Sequence, residues 1–175
     1  MEDSYLTAMV MFDERTERRI QALKAAACAE QQACDILPPH LTLGVYVGLS
    51  LPALQGWAAE FAARRQPVTV TFERVEILGS RVCYLYPAQS PALEGLHQDF
   101  HQRYDDHAGE VGRPYSLAAG RWVPHCTLLI EEDPRRGERA AQNAAAAFVP
   151  FSGTVNGSAI GGDGPIRQYG PFTFQ

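Results

Sequence analysis

The sequence has few cysteines, and their spacing is not typical of a metal site or a redox site. The four are Cys28, Cys34, Cys83 and Cys126, and no two of them form a CxxC pair. The chain opens with Met-Glu-Asp-Ser, which lacks the basic and then apolar segments of a secretory signal peptide. These absences predict a protein of the reducing cytoplasm.

An excess of basic residues and a long apolar run are missing as well. Lys and Arg together number 15 against 20 Asp and Glu, and the formal net charge is -5. This charge gives no general attraction to a nucleic-acid backbone, so we expect no DNA partner and expect RNA to be bound only through a local pocket. No apolar run approaches the roughly 18 residues that a membrane span needs, so we expect no membrane partner.

Two tetrapeptides of the same form are present, and each directly follows a proline. They are His40-Leu41-Thr42-Leu43 and His125-Cys126-Thr127-Leu128, and 85 positions separate the two histidines. Side chains alternate across a β-strand, so the His and the Thr of each motif point to one face while Leu41 or Cys126 points to the other. Each motif therefore presents one imidazole and one hydroxyl together.

The material around the two motifs follows a similar order, which indicates an internal duplication. The next predicted strand begins 28 residues after His40 and 26 residues after His125. Alternation, turn residues and helix caps predict strands at 5–12, 40–47, 68–78, 82–86, 123–130, 151–160 and 166–174. They predict helices at 13–34, 51–65, 90–107 and 134–148. The second half lacks a clear first strand before Arg113.

This order of elements predicts an α+β fold. We expect two pseudo-symmetric lobes of antiparallel sheet, with outer helices, around a central cleft. The whole chain, residues 1–175, is expected to form a single bilobal domain, and we expect it to be a monomer.

Two imidazoles that face each other suit an in-line displacement at a phosphate. One of His40 and His125 would remove a proton from the nucleophile, and the other would protonate the leaving oxygen. The hydroxyls of Thr42 and Thr127 would bind non-bridging phosphate oxygens. The sequence does not say which histidine is the acid.

These residues resemble the 2H phosphoesterase superfamily, whose hallmark is two His-x-Thr/Ser-hydrophobic motifs on pseudo-symmetric lobes. The stretches Pro39–Leu43 and Arg121–Leu128 are similar to the first and second motifs of its 2'-5' RNA ligase-like branch. The sequence departs from many relatives at Gly44–Gly48, where they have an aromatic-Leu-Gly run, and at Leu129–Glu132, where they place an Arg.

The resemblance implies a phosphoesterase that needs no metal and no other cofactor. It implies action on a 2',3'-cyclic phosphate or a 2'-5' phosphodiester of a small nucleotide or RNA end, with His40 and His125 as the acid and base and Thr42 and Thr127 binding the phosphate. The acidic stretch Glu131-Glu132-Asp133 disfavours a long RNA substrate.

Three further residues are candidates for binding the substrate. Arg121 lies four residues before His125, an even offset that would place it on the same face if the strand reached that far. It could equally be a surface arginine at the mouth of the strand. Tyr46 and Trp122 are aromatic candidates for stacking on a base, in a set that also contains Tyr5, Tyr84, Tyr86 and Tyr115.

Three alternatives remain open at this point. The first is a binding module that uses the same cleft without turnover. The second is a zinc hydrolase built on His97 and His101, which lie at i and i+4 of a predicted helix but have no evident third ligand. The third is a nucleophilic thiol at Cys126, which the alternation of side chains instead directs into the core.

Overall fold

The computed structural model describes residues 5–29, 38–162 and 168–175, which contain seven strands and five helices. The strands are β1 Tyr5–Phe12, β2 His40–Val47, β3 Val68–Leu78, β4 Val82–Pro87, β5 Cys126–Ile130, β6 Phe151–Gly161 and β7 Gln168–Thr173. The helices are α1 Glu14–Ala27, α2 Leu51–Ala62, α3 Pro91–Phe100, α4 Gly109–Gly112 and α5 Pro134–Ala147. Short 3-10 turns lie at Asp105–His107, Arg113–Tyr115 and Leu117–Ala119.

The four long helices begin where a polar side chain caps them. Each cap accepts a hydrogen bond from a backbone N–H of the first turn, which would otherwise have no partner. The capping residues are Asp13, Ser50, Ser90 and Asp133. These caps are local sequence signals, which is why the predicted starts of the helices agree with the structure.

Four predicted boundaries were wrong, and one of them is the end of α2, which lies at Ala62 and not at residue 65. Helix α1 ends at Ala27, its last buried position, and not near Cys34; residues 30–37 lie outside the described part. Helix α3 ends at Phe100. Tyr104 then has a left-handed backbone conformation with φ 64°, which is incompatible with a continuing right-handed helix. Strand β5 begins at Cys126, after Pro124, whose nitrogen carries no hydrogen for a sheet ladder.

The strands form one antiparallel sheet in the order β2-β1-β6-β3-β4-β5, and β7 also pairs with β6. The two strands that carry the motifs, β2 and β5, are therefore the two ends of this order. They nevertheless contact each other, because the sheet curls. The predicted α+β fold with antiparallel strands and helices is confirmed, and the motif strands meet although they lie at opposite ends of the sheet order.

The pairings of the strands reveal the repeated unit. Strand β1 pairs with motif strand β2, and β4 pairs in the same way with motif strand β5. The first unit is thus β1-α1-β2-α2-β3, and the second is β4-α3-β5-α5-β6. The first strand that appeared to be missing before Arg113 is β4, which the sequence predicts at 82–86 as part of a hairpin with 68–78 in the first half. The hairpin β3-β4 exists, but it joins the two units.

The last strand of each unit crosses to the other unit. Strand β3 pairs with β4, and β6 pairs with β1, while β3 and β6 pair with each other from Val68↔Val155 to Phe72↔Phe151. One face of the sheet carries the core, with Val10, Leu85 and Val155 all 0% exposed. In the described residues, no helix is long and apolar enough to cross a membrane.

Candidate active site

Alternation along the two motif strands places the four predicted residues as expected. Leu41 and Cys126 are 0% exposed and belong to the core, whereas His40, Thr42 and Thr127 are half-buried on the other face. His125 directly precedes β5 and is half-buried as well. Each motif thus presents its imidazole and its hydroxyl on the side of the sheet away from the core.

The two motifs share a β-bulge at the same position. On β2, Thr42 pairs with Met9 and Gly44 with Ala8, so Leu43 is the extra residue. On β5, Thr127 pairs with Tyr84 and Leu129 with Cys83, so Leu128 is the extra residue. A bulge bends its strand and redirects the neighbouring side chains, and bulges are frequent beside active sites. The repeat therefore extends from the sequence to the detailed backbone geometry.

The two imidazoles are also held in the same way. The Nδ1 atom of His40 lies 2.7 Å from the carbonyl oxygen of Pro38, and that of His125 lies 3.1 Å from the carbonyl oxygen of Val123. A carbonyl only accepts, so each Nδ1 carries the proton and donates it two residues back along the chain. In the neutral form of either ring, Nε2 is then the basic nitrogen.

Contacts between the two motif segments bring the four residues into one region. Trp122, just before the second motif, donates its Nε1–H to the carbonyl oxygen of Thr42 at 3.2 Å. The backbone of His40 hydrogen-bonds the thiol of Cys126. Since both contacts cross between β2 and the β5 segment, the structure brings the predicted residues of the two motifs together.

Two tyrosine rings lie beside the imidazole of His125. The Tyr84 ring meets the imidazole edge to face, with 5.5 Å between centroids, and Tyr115 lies at 6.3 Å. Tyr84 donates its hydroxyl hydrogen to Glu76 Oε2 at 2.6 Å. Burial and this hydrogen bond raise the pKa of Tyr84 to about 12, and the same hydrogen bond lowers the pKa of Glu76. Tyr84 and Tyr115 are two of the six aromatic candidates that the sequence offers. Only the strand pairing Tyr84↔Thr127, which the sequence does not show, identifies Tyr84 as the one beside the second motif.

The prediction that Tyr46 stacks on a base was wrong. Tyr46 is 1% exposed, and its ring packs against Phe100 and His101 in the core. Simple alternation from His40 and Thr42 would place Tyr46 on the site face, but the bulge at Leu43 shifts the alternation by one residue. The strand beyond the bulge therefore turns Tyr46 inward.

The buried hydroxyl of Tyr46 has no hydrogen-bond partner among the described residues. We expect Tyr46→Phe to raise the free energy of unfolding by about 1 kcal/mol, because the unpaired hydroxyl loses its hydration on folding, and to leave activity unchanged. Urea unfolding measures this effect. The matched variant Tyr84→Phe removes the hydrogen bond to Glu76, so it should lower the free energy of unfolding. A loss of stability in Tyr46→Phe would contradict this account.

Neither Trp122 nor Arg121 lies beside the two histidines in the way the sequence suggested. Trp122 is 8% exposed and stacks on His97 with 4.5 Å between centroids and 9° between planes, so one ring face is already covered. Arg121 is exposed and precedes the start of β5, so the argument from alternation does not apply to it. Both line a cavity of about 300 Å³ that includes none of the four motif residues and is also lined by Gln89, Glu94, His97, Gln98, Ser116, Leu117 and Gly120.

The zinc and thiol alternatives find no support in the contacts of the residues concerned. His97 Nε2 lies 2.6 Å from the carbonyl oxygen of Tyr115, and His101 Nε2 lies 2.7 Å from that of Leu43. In the part of the chain that the structure describes, no group of three His, Cys, Asp or Glu could hold a metal ion. Burial raises the pKa of the Cys126 thiol to about 12, which disfavours the thiolate that a nucleophile requires.

Burial lowers the pKa of His97 to about 4, and the neighbouring His101 contributes in the same direction. Between pH 6.5 and 4, the unfolded chain binds a proton at this residue that the folded chain does not, so stability falls as the pH falls through this range. From pH 7.5 to 5, this linkage lowers the free energy of unfolding by about 2 kcal/mol.

We expect His97→Phe, which keeps a ring against Trp122, to lose stability less steeply between these two pH values than the wild type. Urea unfolding at pH 7.5 and pH 5 measures the difference. His107→Phe, at a half-buried position, is the control and should retain the wild-type slope. An unchanged slope in His97→Phe would show that the buried ring is not responsible.

Comparison with known proteins identifies the family and the fold of the chain. The model of the 2'-5' RNA ligase superfamily matches residues 12–160, and the chain belongs to that family. The predicted resemblance to the 2H phosphoesterases is thereby confirmed. No curated protein matches the chain by sequence.

Solved structures share the fold over nearly the whole chain. TT0787 of Thermus thermophilus is 14% identical with a TM-score of 0.64, over 98% of this chain and 100% of that one. E. coli LigT in its apo form is 18% identical with a TM-score of 0.58, over 97% of this chain and 95% of that one. LigT complexed with 3'-AMP is 19% identical with a TM-score of 0.56, over the same shares.

Proposed function

We propose that this protein is a 2H-type phosphoesterase that opens the 2',3'-cyclic phosphate, or cleaves the 2'-5' phosphodiester, of a small nucleotide or RNA end. The observation that carries the proposal is the equivalence of the two motifs. Both have the same ring hydrogen bond, the same bulge after the threonine and the same place at an end of the sheet order. An equivalent pair of this kind suits a reaction in which one proton is removed and another is delivered.

In the proposed reaction, one imidazole accepts a proton from water through its Nε2 atom as the water oxygen attacks phosphorus. The bond from phosphorus to one ribose oxygen breaks, and the protonated imidazole on the other side donates its proton to that oxygen. The hydroxyls of Thr42 and Thr127 donate to the non-bridging oxygens, whose negative charge grows in the transition state. The reaction requires no metal ion in this form.

A small substrate is favoured by the charge of the chain and by its relatives. The net charge of -5 gives little attraction to an extended backbone. LigT, which shares the fold, has been solved with 3'-AMP and with ATP. We propose a mononucleotide, a dinucleotide or an RNA end as substrate, with the chain acting as a monomer in the cytoplasm and without a DNA or membrane partner.

Hydrolysis of 2',3'-cyclic nucleotides in the presence and absence of EDTA tests the proposal. We expect turnover in both conditions, and also in the His97→Gln/His101→Gln double variant if it remains folded, because the chemistry assigned to the two motifs uses no Lewis acid. Loss of turnover with EDTA and recovery with zinc would favour the zinc hydrolase. Tight binding of the nucleotide without turnover would favour the non-catalytic binding module.

A further inference from the structure

The backbone of the first motif is held at its bulge by two side chains from outside the sheet. The carbonyl oxygen of Thr42 accepts a hydrogen bond from Trp122 Nε1 at 3.2 Å, and that of Leu43 accepts one from His101 Nε2 at 2.7 Å. β2 lies at one end of the sheet order, so one of its sides has no neighbouring strand to satisfy its carbonyls. Two successive carbonyls at the bulge are thus bound by ring N–H groups.

An oxygen atom lies near each ring nitrogen of His101, but only Nε2 makes a hydrogen bond. Its side chain is 1% exposed, and Nδ1 lies 2.7 Å from Asp105 Oδ1, on the side opposite the Leu43 carbonyl. Asp105 is itself held, because the same oxygen accepts the backbone N–H of Leu117 at 3.0 Å. The carboxylate of Asp105 therefore contacts the ring without a hydrogen bond, while Nε2 donates to the Leu43 carbonyl.

The two donors belong to one row of contacting rings, in which His97 stacks on Trp122 and is tilted by 47° against His101. His101 lies 4.4 Å from His97 between centroids, and His97 lies 4.5 Å from Trp122. The two ends of this row, His101 and Trp122, bind Leu43 and Thr42 of the first motif. Trp122 is also three residues before His125. The row therefore connects the bulge of one motif with the segment that leads into the other.

We propose that His101, oriented by Asp105, is a positioning residue that fixes the bulge at Leu43 and thereby directs the Thr42 hydroxyl toward the substrate phosphate. His101 itself does not touch the substrate. The part of this proposal that concerns catalysis rests on the proposed function. Without the His101 donor, the buried Leu43 carbonyl would have to find another partner, and the bulge would relax toward it. A misplacement of about 1 Å at a reacting group can cost on the order of 100-fold in rate.

A double-mutant cycle tests whether His101 acts through Thr42. His101→Phe keeps a ring but removes the donor, and we expect it to lower kcat by about 10- to 100-fold with little change in KM. In the Thr42→Ala background, the same change should cost less than about 3-fold, because the hydroxyl that it positions is gone. In the Thr127→Ala background, which removes the equivalent hydroxyl of the other motif, it should keep its full effect.

Conservative variants and matched controls accompany the cycle. His101→Gln retains a donor near the position of Nε2 and should recover most of the activity that His101→Phe loses. Asp105→Asn keeps the shape of the carboxyl and removes its charge, and it should show a smaller effect with the same dependence on Thr42, even if His101→Phe does not fold. His107→Phe and Asp106→Asn make the same changes at neighbouring positions and should leave kcat unchanged.

A second readout does not depend on turnover. In ¹H–¹⁵N NMR spectra, His101→Phe or Asp105→Asn should shift the backbone amides of Thr42–Gly44 and leave those of Thr127–Leu129 in place. Unchanged Thr42–Gly44 amides, or an equal loss of kcat in both threonine backgrounds, would overturn the positioning role. If the wild type turns over no cyclic phosphate while these amides shift, the proposed function fails, but the structural role of His101 stands.

Discussion

His40→Ala and His125→Ala are each expected to lower kcat for a 2',3'-cyclic nucleotide by about 100- to 10,000-fold, the usual value of one positioned acid or base. Each change removes one of two equivalent imidazoles whose Nδ1 is tied to a backbone carbonyl. The transition state then lacks either the removal or the delivery of a proton. Single-turnover and steady-state assays of purified variants measure the loss.

The double variant should lose much less than the product of the two single losses, because the pair acts as a unit. The rate of the wild type should also follow a bell-shaped curve against pH, since one imidazole must be neutral while the other is protonated. His107→Ala changes a histidine outside both motifs and serves as the control. Full activity in either motif variant would exclude paired-histidine catalysis.

The next largest effect is expected for the threonines. Thr42→Ala or Thr127→Ala removes a hydrogen bond to a charged phosphate worth about 1.5 to 3 kcal/mol, which corresponds to a loss of about 10- to 150-fold in kcat/KM. Each threonine lies two residues after its histidine, and both side chains are half-buried on the same face of the sheet. Initial rates at low substrate concentration give this ratio directly.

Two substitutions separate the hydroxyl from the methyl group of each threonine. Thr→Ser keeps the hydroxyl and should remain close to wild type. Thr→Val keeps the shape without the hydroxyl and should be as damaging as alanine. If serine were as damaging as alanine while valine retained activity, packing of the methyl group would explain the effect and the phosphate-binding role would fail.

Local features of the fold could be predicted because local chemistry determines them. Strand β1 and strand β2 were predicted with their observed bounds, and the caps Asp13 and Ser90 mark helix starts that need no tertiary information. The faces of the motif residues followed from alternation alone. These predictions use interactions between residues that are close in sequence.

The remaining features depend on which strands become neighbours. The bulge at Leu43 is a mismatch between two paired strands, so no pattern in β2 alone shows that Tyr46 faces the core. The assignment of β4 to the second unit likewise requires knowing that β4 lies beside β5. Trp122 is predicted from the sequence as a residue that stacks on a base, whereas in the structure its N–H is donated to Thr42 and its ring stacks on His97.

The crossing of β3 and β6 between the two units makes the halves of this protein interlocked. The sheet beside each motif strand is completed by the last strand of the other unit. Strand β6 pairs with β1 beside the first motif strand, and β3 pairs with β4 beside the second. Cutting the chain between the units would leave two fragments, each with its own histidine and threonine but without the third strand of its sheet. The two half-sites therefore depend on one shared sheet, and neither fragment alone would contain the complete strand set that supports its motif.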